Sequence, residues 1–88
     1  MILGSSHLDV TLVRGNPKEA ALTSVQYDVV KALLGAGRKG LTGDLLINRS
    51  GHSDAVNILH RVRELDDDWR TVILFPGTGG RRYRIAWV

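Results

Sequence analysis

Apolar residues recur along this chain with two different periods, and the places where the period changes mark its elements. Residues 8–13 alternate apolar and polar and end at Arg14, Gly15, Asn16 and Pro17, which predicts a short strand closed by a turn. A helix is expected after it. Thr23 and Gln26 form a capping box, in which the Thr hydroxyl takes the amide three residues on and Gln reaches back, with Leu22 and Tyr27 at the two positions of a hydrophobic staple. Val25, Val29, Val30, Leu33 and Leu34 follow as an apolar stripe at helical spacing, and Gly35 with Gly37 ends it.

Residues 38–41 are short and suit a single bridge to another strand. Thr42 caps a brief second helix over 43–48 that carries Leu45, Leu46 and Ile47, and residues 48–51 close it as a polar turn with Gly51 where positive φ is cheap. Ala55, Ile58, Leu59, Val62 and Leu65 then predict a third helix over 53–65 with these five side chains on the core, and Ser53, Asn57, His60, Arg61 and Glu64 on the opposite face. Two helices joined by so short a turn have helix-turn-helix geometry. Residues 66–69 are expected to end the third helix. Beyond them, 71–75 are β-branched and apolar, and Tyr83, Ile85 and Trp87 alternate with Arg82, Arg84 and Ala86. The tail is therefore expected to be a hairpin turning through residues 76–80.

Composition narrows what this pattern can serve. At 88 residues the chain is one domain, with residues 1–7 expected to be disordered, and such a domain buries only about 60–65% of its unfolded surface. The apolar share of 43% and charged share of 24% are those of a folded globular protein rather than a disordered one. There is no cysteine, and His7, His52 and His60 are scattered without carboxylates at ligand spacing, so neither a disulfide nor a metal site is expected. No apolar run reaches the roughly 20 residues of a membrane span, and the first residues lack the charged head of a signal peptide. A cytoplasmic protein that does not engage membranes is the expectation.

The net charge of +3 is unevenly placed. Residues 31–63 hold six basic side chains against two acidic ones, residues 64–70 reverse the sign with Glu64, Asp66, Asp67 and Asp68, and 71–88 hold Arg81, Arg82 and Arg84 with no acid. Two basic blocks flank one acidic turn. If the blocks fold onto one face, a polyanion is the natural partner.

The order strand, helix, short helix, turn, helix, hairpin resembles the winged helix-turn-helix domain, nearest to the OmpR/PhoB-type effector domains of bacterial response regulators. The residues carrying the likeness are Leu22, Thr23 and Gln26 at the first helix, Gly40, Leu41 and Thr42 before the second, and Val62 with Arg63 late in the third. Val72, Ile73, Pro76, Gly77, Tyr83, Arg84 and Ile85 carry it in the wing. The resemblance covers most of residues 8–88 and implies a small α+β fold of three helices with a C-terminal β-hairpin wing. It also implies duplex DNA as partner and a role in transcriptional or mobile-element regulation. This chain departs from those domains in offering one strand before the first helix and no receiver domain, so phosphorelay control is not carried over.

In a domain of this kind the third helix enters the major groove, whose base edges present a distinguishable pattern of donors and acceptors. Asn57 suits a bidentate pair with adenine and Arg61 one with guanine, His60 and Ser53 suit a phosphate or base edge, and Arg49 is expected in the turn where phosphates pass. Arg81 and Arg82 at the wing tip suit the backbone or the minor groove. Against these readings stand an unpartnered helix face for Asn57 and His60, and surface pairing of Arg61 with Glu64 or Asp54, or of Arg63 likewise. Trp69, Phe75, Tyr83 and Trp87 are expected as lids of a small core rather than stacking platforms for single strands. No catalytic set is expected, because no nucleophile has an activating base. Nor is a cofactor, because residues 77–80 lie between strands without the Lys and helix of a phosphate loop. The alternative is the same fold used as a protein interaction module without DNA binding, which the acidic residues 64–68 beside the third helix favour.

Overall fold

The computed structural model describes residues 12–13, 16–17, 22–77 and 82–86. Their order is β1 (Leu12–Val13), β2 (Asn16–Pro17), α1 (Ser24–Gly35), a 3-10 turn (Gly37–Lys39), α2 (Gly43–Ser50), α3 (Ala55–Arg63), α4 (Asp67–Val72), β3 (Ile73–Leu74) and β4 (Arg84–Ile85). It is a small α+β fold. The predicted first strand survives as β1, with its residues 8–11 outside the described ones. The turn expected after it is tighter than foreseen, because Asn16 pairs back on Val13 and Pro17 on Leu12 as β2.

α1 begins where its capping signal lies. Gln26 N–H donates to Thr23 Oγ1 at 3.1 Å and Thr23 N–H donates to Gln26 Oε1 at 3.1 Å, so both halves of the capping box are made. Leu22 and Tyr27, the staple pair, are buried on either side of it. Thr42 caps α2 in the same way by accepting from Leu45 N–H. α2 runs two residues past the predicted Asn48 to Ser50, where Gly51 at φ 79° ends it in the left-handed region that suits glycine.

α3 is shorter than the predicted 53–65, since Ser53 and Asp54 remain in the turn and the helix stops at Arg63. Ala55, Ile58, Leu59 and Val62 are buried as expected, but Leu65 is 46% exposed. It falls beyond the helix end, so the angular spacing that would have turned it inward no longer holds.

The larger correction is a fourth helix. Residues 66–69 do not close α3, and 71–75 are not a continuous strand: Asp66 caps α4 by accepting from Trp69 N–H at 3.0 Å. Asp67 and Asp68 stand in its first turn, where the positive end of the helix dipole favours them. Arg70 pairs with Asp67 at 3.1 Å, and the Thr71 hydroxyl donates to the Asp67 carbonyl at 2.8 Å. The β-branched run that suggested a strand is helical as far as Val72, leaving Ile73 and Leu74 for β3.

β3 and β4 pair antiparallel, Ile73 opposite Ile85 and Leu74 opposite Arg84, and one residue earlier Tyr83 bridges Leu41. The Leu41 bridge is the one expected of residues 38–41, and its two amide bonds with Tyr83 are both 2.8 Å long. Val29, Val30, Leu33, Leu46, Leu59, Val62, Trp69, Val72, Ile73 and Ile85 fill one core between the helices and this small sheet. Among the described residues no helix is long and apolar enough to cross a membrane.

Candidate nucleic-acid interface

Burying one stripe of α3 leaves the other outside. With Ala55, Ile58, Leu59 and Val62 in the core, Asn57, His60, Arg61 and Glu64 are exposed, and Ser53 is exposed in the turn ahead of them. Ser53, Asn57, His60 and Glu64 follow one another at intervals of three and four residues and form a polar ridge. Arg61 and Arg63 lie on its two flanks.

The N-terminal end of the ridge is fixed by the turn before it. Gly51 N–H donates to the Ile47 carbonyl at 2.9 Å, and the Ser50 hydroxyl donates to the same carbonyl at 3.4 Å while accepting from His52 N–H at 3.3 Å. His52 Nε2 lies 3.0 Å from Asp28 Oδ2, tying the turn to α1. This pair was not foreseen, because nothing local couples two residues 24 apart in sequence.

The C-terminal end is fixed by the hairpin. The Phe75 ring receives the His60 ring edge-on at 4.2 Å between centroids, the Tyr83 ring edge-on at 5.1 Å, and the Arg63 guanidinium over its face at 4.6 Å. Arg63 is half-buried rather than a surface ion-pair partner, and its Nε is buried without a hydrogen bond, facing an aromatic ring in place of an acceptor. At the start of α2, a Cβ on Gly43 would stand in ordinary contact with Val56 of α3 and the Tyr83 ring, so α2, α3 and the hairpin meet there.

The predicted site residues therefore separate into groups. Ser53, Asn57 and His60 share the ridge, with the His60 ring leaning on Phe75. Arg61 lines a cleft of about 270 Å³ with Thr23, Val25, Gln26, Asp54 and Ile58, toward the start of α1. Arg49 is not in the turn before α3 but in the last turn of α2, and it lines a groove of about 400 Å³ with Asp28, Lys31, Ala32, Gly35 and Ser50. Arg82 is exposed immediately before Tyr83, whereas Arg81 lies outside the described residues. Trp69 is buried at 1% exposure and has no face to offer a base, as expected of a core lid. Phe75 and Tyr83 are half-buried, and Trp87 lies outside the described residues.

Electrostatically, the acidic run that threatened this face is mostly engaged elsewhere. Asp66 caps α4 and Asp67 holds Arg70, which leaves Glu64 as the acid on the ridge itself. Among the described residues no three His, Asp or Glu side chains gather as metal ligands. What the ridge and its flanks offer is hydrogen-bonding chemistry: an amide with donor and acceptor side by side, an imidazole, a hydroxyl and guanidinium forks. No protein-family model, characterised protein or solved structure matches the chain.

Proposed function

We propose that this chain is a winged helix-turn-helix domain that binds duplex DNA, with α3 in the major groove and the β3–β4 hairpin as the wing beside it, and that it serves as a transcriptional or mobile-element regulator. The observation that carries the reading is the junction of α3 with the hairpin. Phe75 and Tyr83 seat the hairpin against the His60 end of α3, and the exposed Arg82 immediately precedes Tyr83 in that hairpin. An exposed helix face with an arginine-bearing hairpin at its side suits a major groove about 12 Å wide and the backbone that borders it.

Within this reading Asn57 is the base reader at the centre of the ridge, Arg61 reads a base or a phosphate on its α1 side, and Arg82 contacts the backbone. Arg49 is reassigned to a phosphate contact on the α2 side rather than a neighbour of α3. The test begins with selection of bound sites from a random duplex pool. Asn57→Ala is then expected to weaken binding to the selected site by about 1–3 kcal/mol, as for loss of one bidentate base contact, with little change on random duplex. Equal loss on both, or no loss on either, contradicts base reading by α3.

One observation favours a second reading, in which the same face docks a protein. Glu64 continues the ridge past His60, and Leu65 beside it is a large apolar side chain left in solvent. A charge of that sign opposes a phosphate backbone and suits a basic partner surface.

A further inference from the structure

We propose that Phe75 is a positioning residue: it locks the hairpin to the C-terminal half of α3 and thereby fixes the spacing between the helix face and the wing. The proposal rests on the DNA-binding reading for its consequence, and on geometry alone for its mechanism. Phe75 follows β3 directly and precedes Pro76 and Gly77, where the chain leaves the paired strands, so backbone pairing no longer holds it. Its ring is half-buried and lies outside the fully buried core, yet His60, Arg63 and Tyr83 all converge on it. Two of these belong to α3, and the third, Tyr83, immediately precedes β4.

The paired part of the hairpin is short, with two residues in each strand and the Leu41 bridge beside them. An isolated two-stranded ribbon of that length is marginal in water. The contacts around Phe75 tie the residues that flank the paired strands, Phe75 and Tyr83, to the helix. Aromatic edge-to-face pairs and a cation over a ring each add a modest, direction-dependent attraction, and together they select one orientation of hairpin against helix. The Arg63 Nε, buried and without an acceptor, has the Phe75 ring as its compensating neighbour, so removal of that ring releases the guanidinium as well as the hairpin. A clamp that must match two features of a rigid duplex gains affinity from such pre-organisation.

The experiment compares the parent domain with Phe75→Ala and Phe75→Leu. Phe75→Leu keeps most of the apolar volume and removes the ring geometry. Three readouts are taken: thermal melting, NMR relaxation of the backbone amides of residues 82–86, and affinity for a mixed-sequence duplex of about 20 base pairs at two salt concentrations. Both variants are expected to remain folded, with residues 82–86 more mobile on the nanosecond timescale than in the parent, and with affinity lowered about five- to tenfold. Phe75→Leu is expected to resemble Phe75→Ala in mobility, which a role as mere filler does not produce. Hairpin amides as ordered in Phe75→Leu as in the parent overturn the proposal, whatever the DNA result. A parent domain that does not bind the duplex overturns the functional reading, while the relaxation comparison still decides the positioning role.

Discussion

Trp69→Ala is expected to destabilise the domain severely, removing a large part of its folding free energy. Among the described residues Trp69 is the largest fully buried side chain, at 1% exposure, and it lies in α4 where that helix packs on α3 and β3. Truncating a buried Trp to Ala costs about 3–5 kcal/mol, and a domain of this length holds roughly 4–13 kcal/mol in all. At about 4–8 °C per kcal/mol, the midpoint of thermal unfolding is expected to fall by about 12 °C or more. Trp69→Phe, which keeps an aromatic ring in the site, is expected to lose less than half as much. A melting curve for Trp69→Ala within about 3 °C of the parent would place this ring outside the core and withdraw α4 from the account.

Gly40→Ala is the second large loss, and its cause is separable by a control. Gly40 has φ 68° and lies where the chain enters the Leu41 bridge, and a Cβ there would intrude on the Tyr83 carbonyl oxygen and the Arg84 side chain. Gly51 has a similar φ of 79° with open space around its absent Cβ. Gly51 is left-handed helical (ψ 12°), so Gly51→Ala measures the cost of that conformation with no clash, about 1–2 kcal/mol, whereas Gly40 at ψ −169° lies in a region that essentially only glycine adopts. Gly40→Ala combines a costlier backbone strain with a clash against the Tyr83 carbonyl oxygen, which accepts one of the two amide bonds of the Leu41 bridge. Its expected cost is about 3 kcal/mol or more, read by denaturant unfolding, with hydrogen-exchange protection lost at Leu41 and Tyr83. A cost at Gly40 no greater than at Gly51, with protection kept at Leu41 and Tyr83, would contradict this account of the bridge.

How much of this was legible in the sequence follows from how local each determinant is. The start of α1 was legible because its capping box, Thr23 with Gln26, lies within four residues, and the buried stripe of α3 because a period of 3.6 repeats through Ala55, Ile58, Leu59 and Val62. The Leu41 bridge was legible from a short run between two helix signals. α4 was misjudged because two local signals compete across residues 66–75. The aspartates offer an N-cap and a first turn, while Thr71, Val72 and Ile73 favour a strand, and burial of Trp69 together with Val72 decides for the helix. An aspartate three residues before a buried aromatic was the signal that pointed the right way.

The candidate site divides along the same line. Exposure of Asn57, His60 and Arg61 followed from helical periodicity, but their different neighbours did not. The Phe75 junction, the Asp28–His52 pair and the removal of Arg49 to the α1 side all join segments distant in sequence, and no spacing rule encodes them.

The central claim, that this domain binds the duplex through the exposed face of α3 and the wing, is tested most directly by measuring affinity for a mixed-sequence duplex as salt is raised from about 50 to 200 mM. Each neutralised phosphate contributes a slope of about −0.9 in log affinity against log salt, so phosphate contacts by Arg49, Arg61 and Arg82 predict a slope of about −2.7. Absence of binding at the lowest salt, or a flat titration, would contradict the claim.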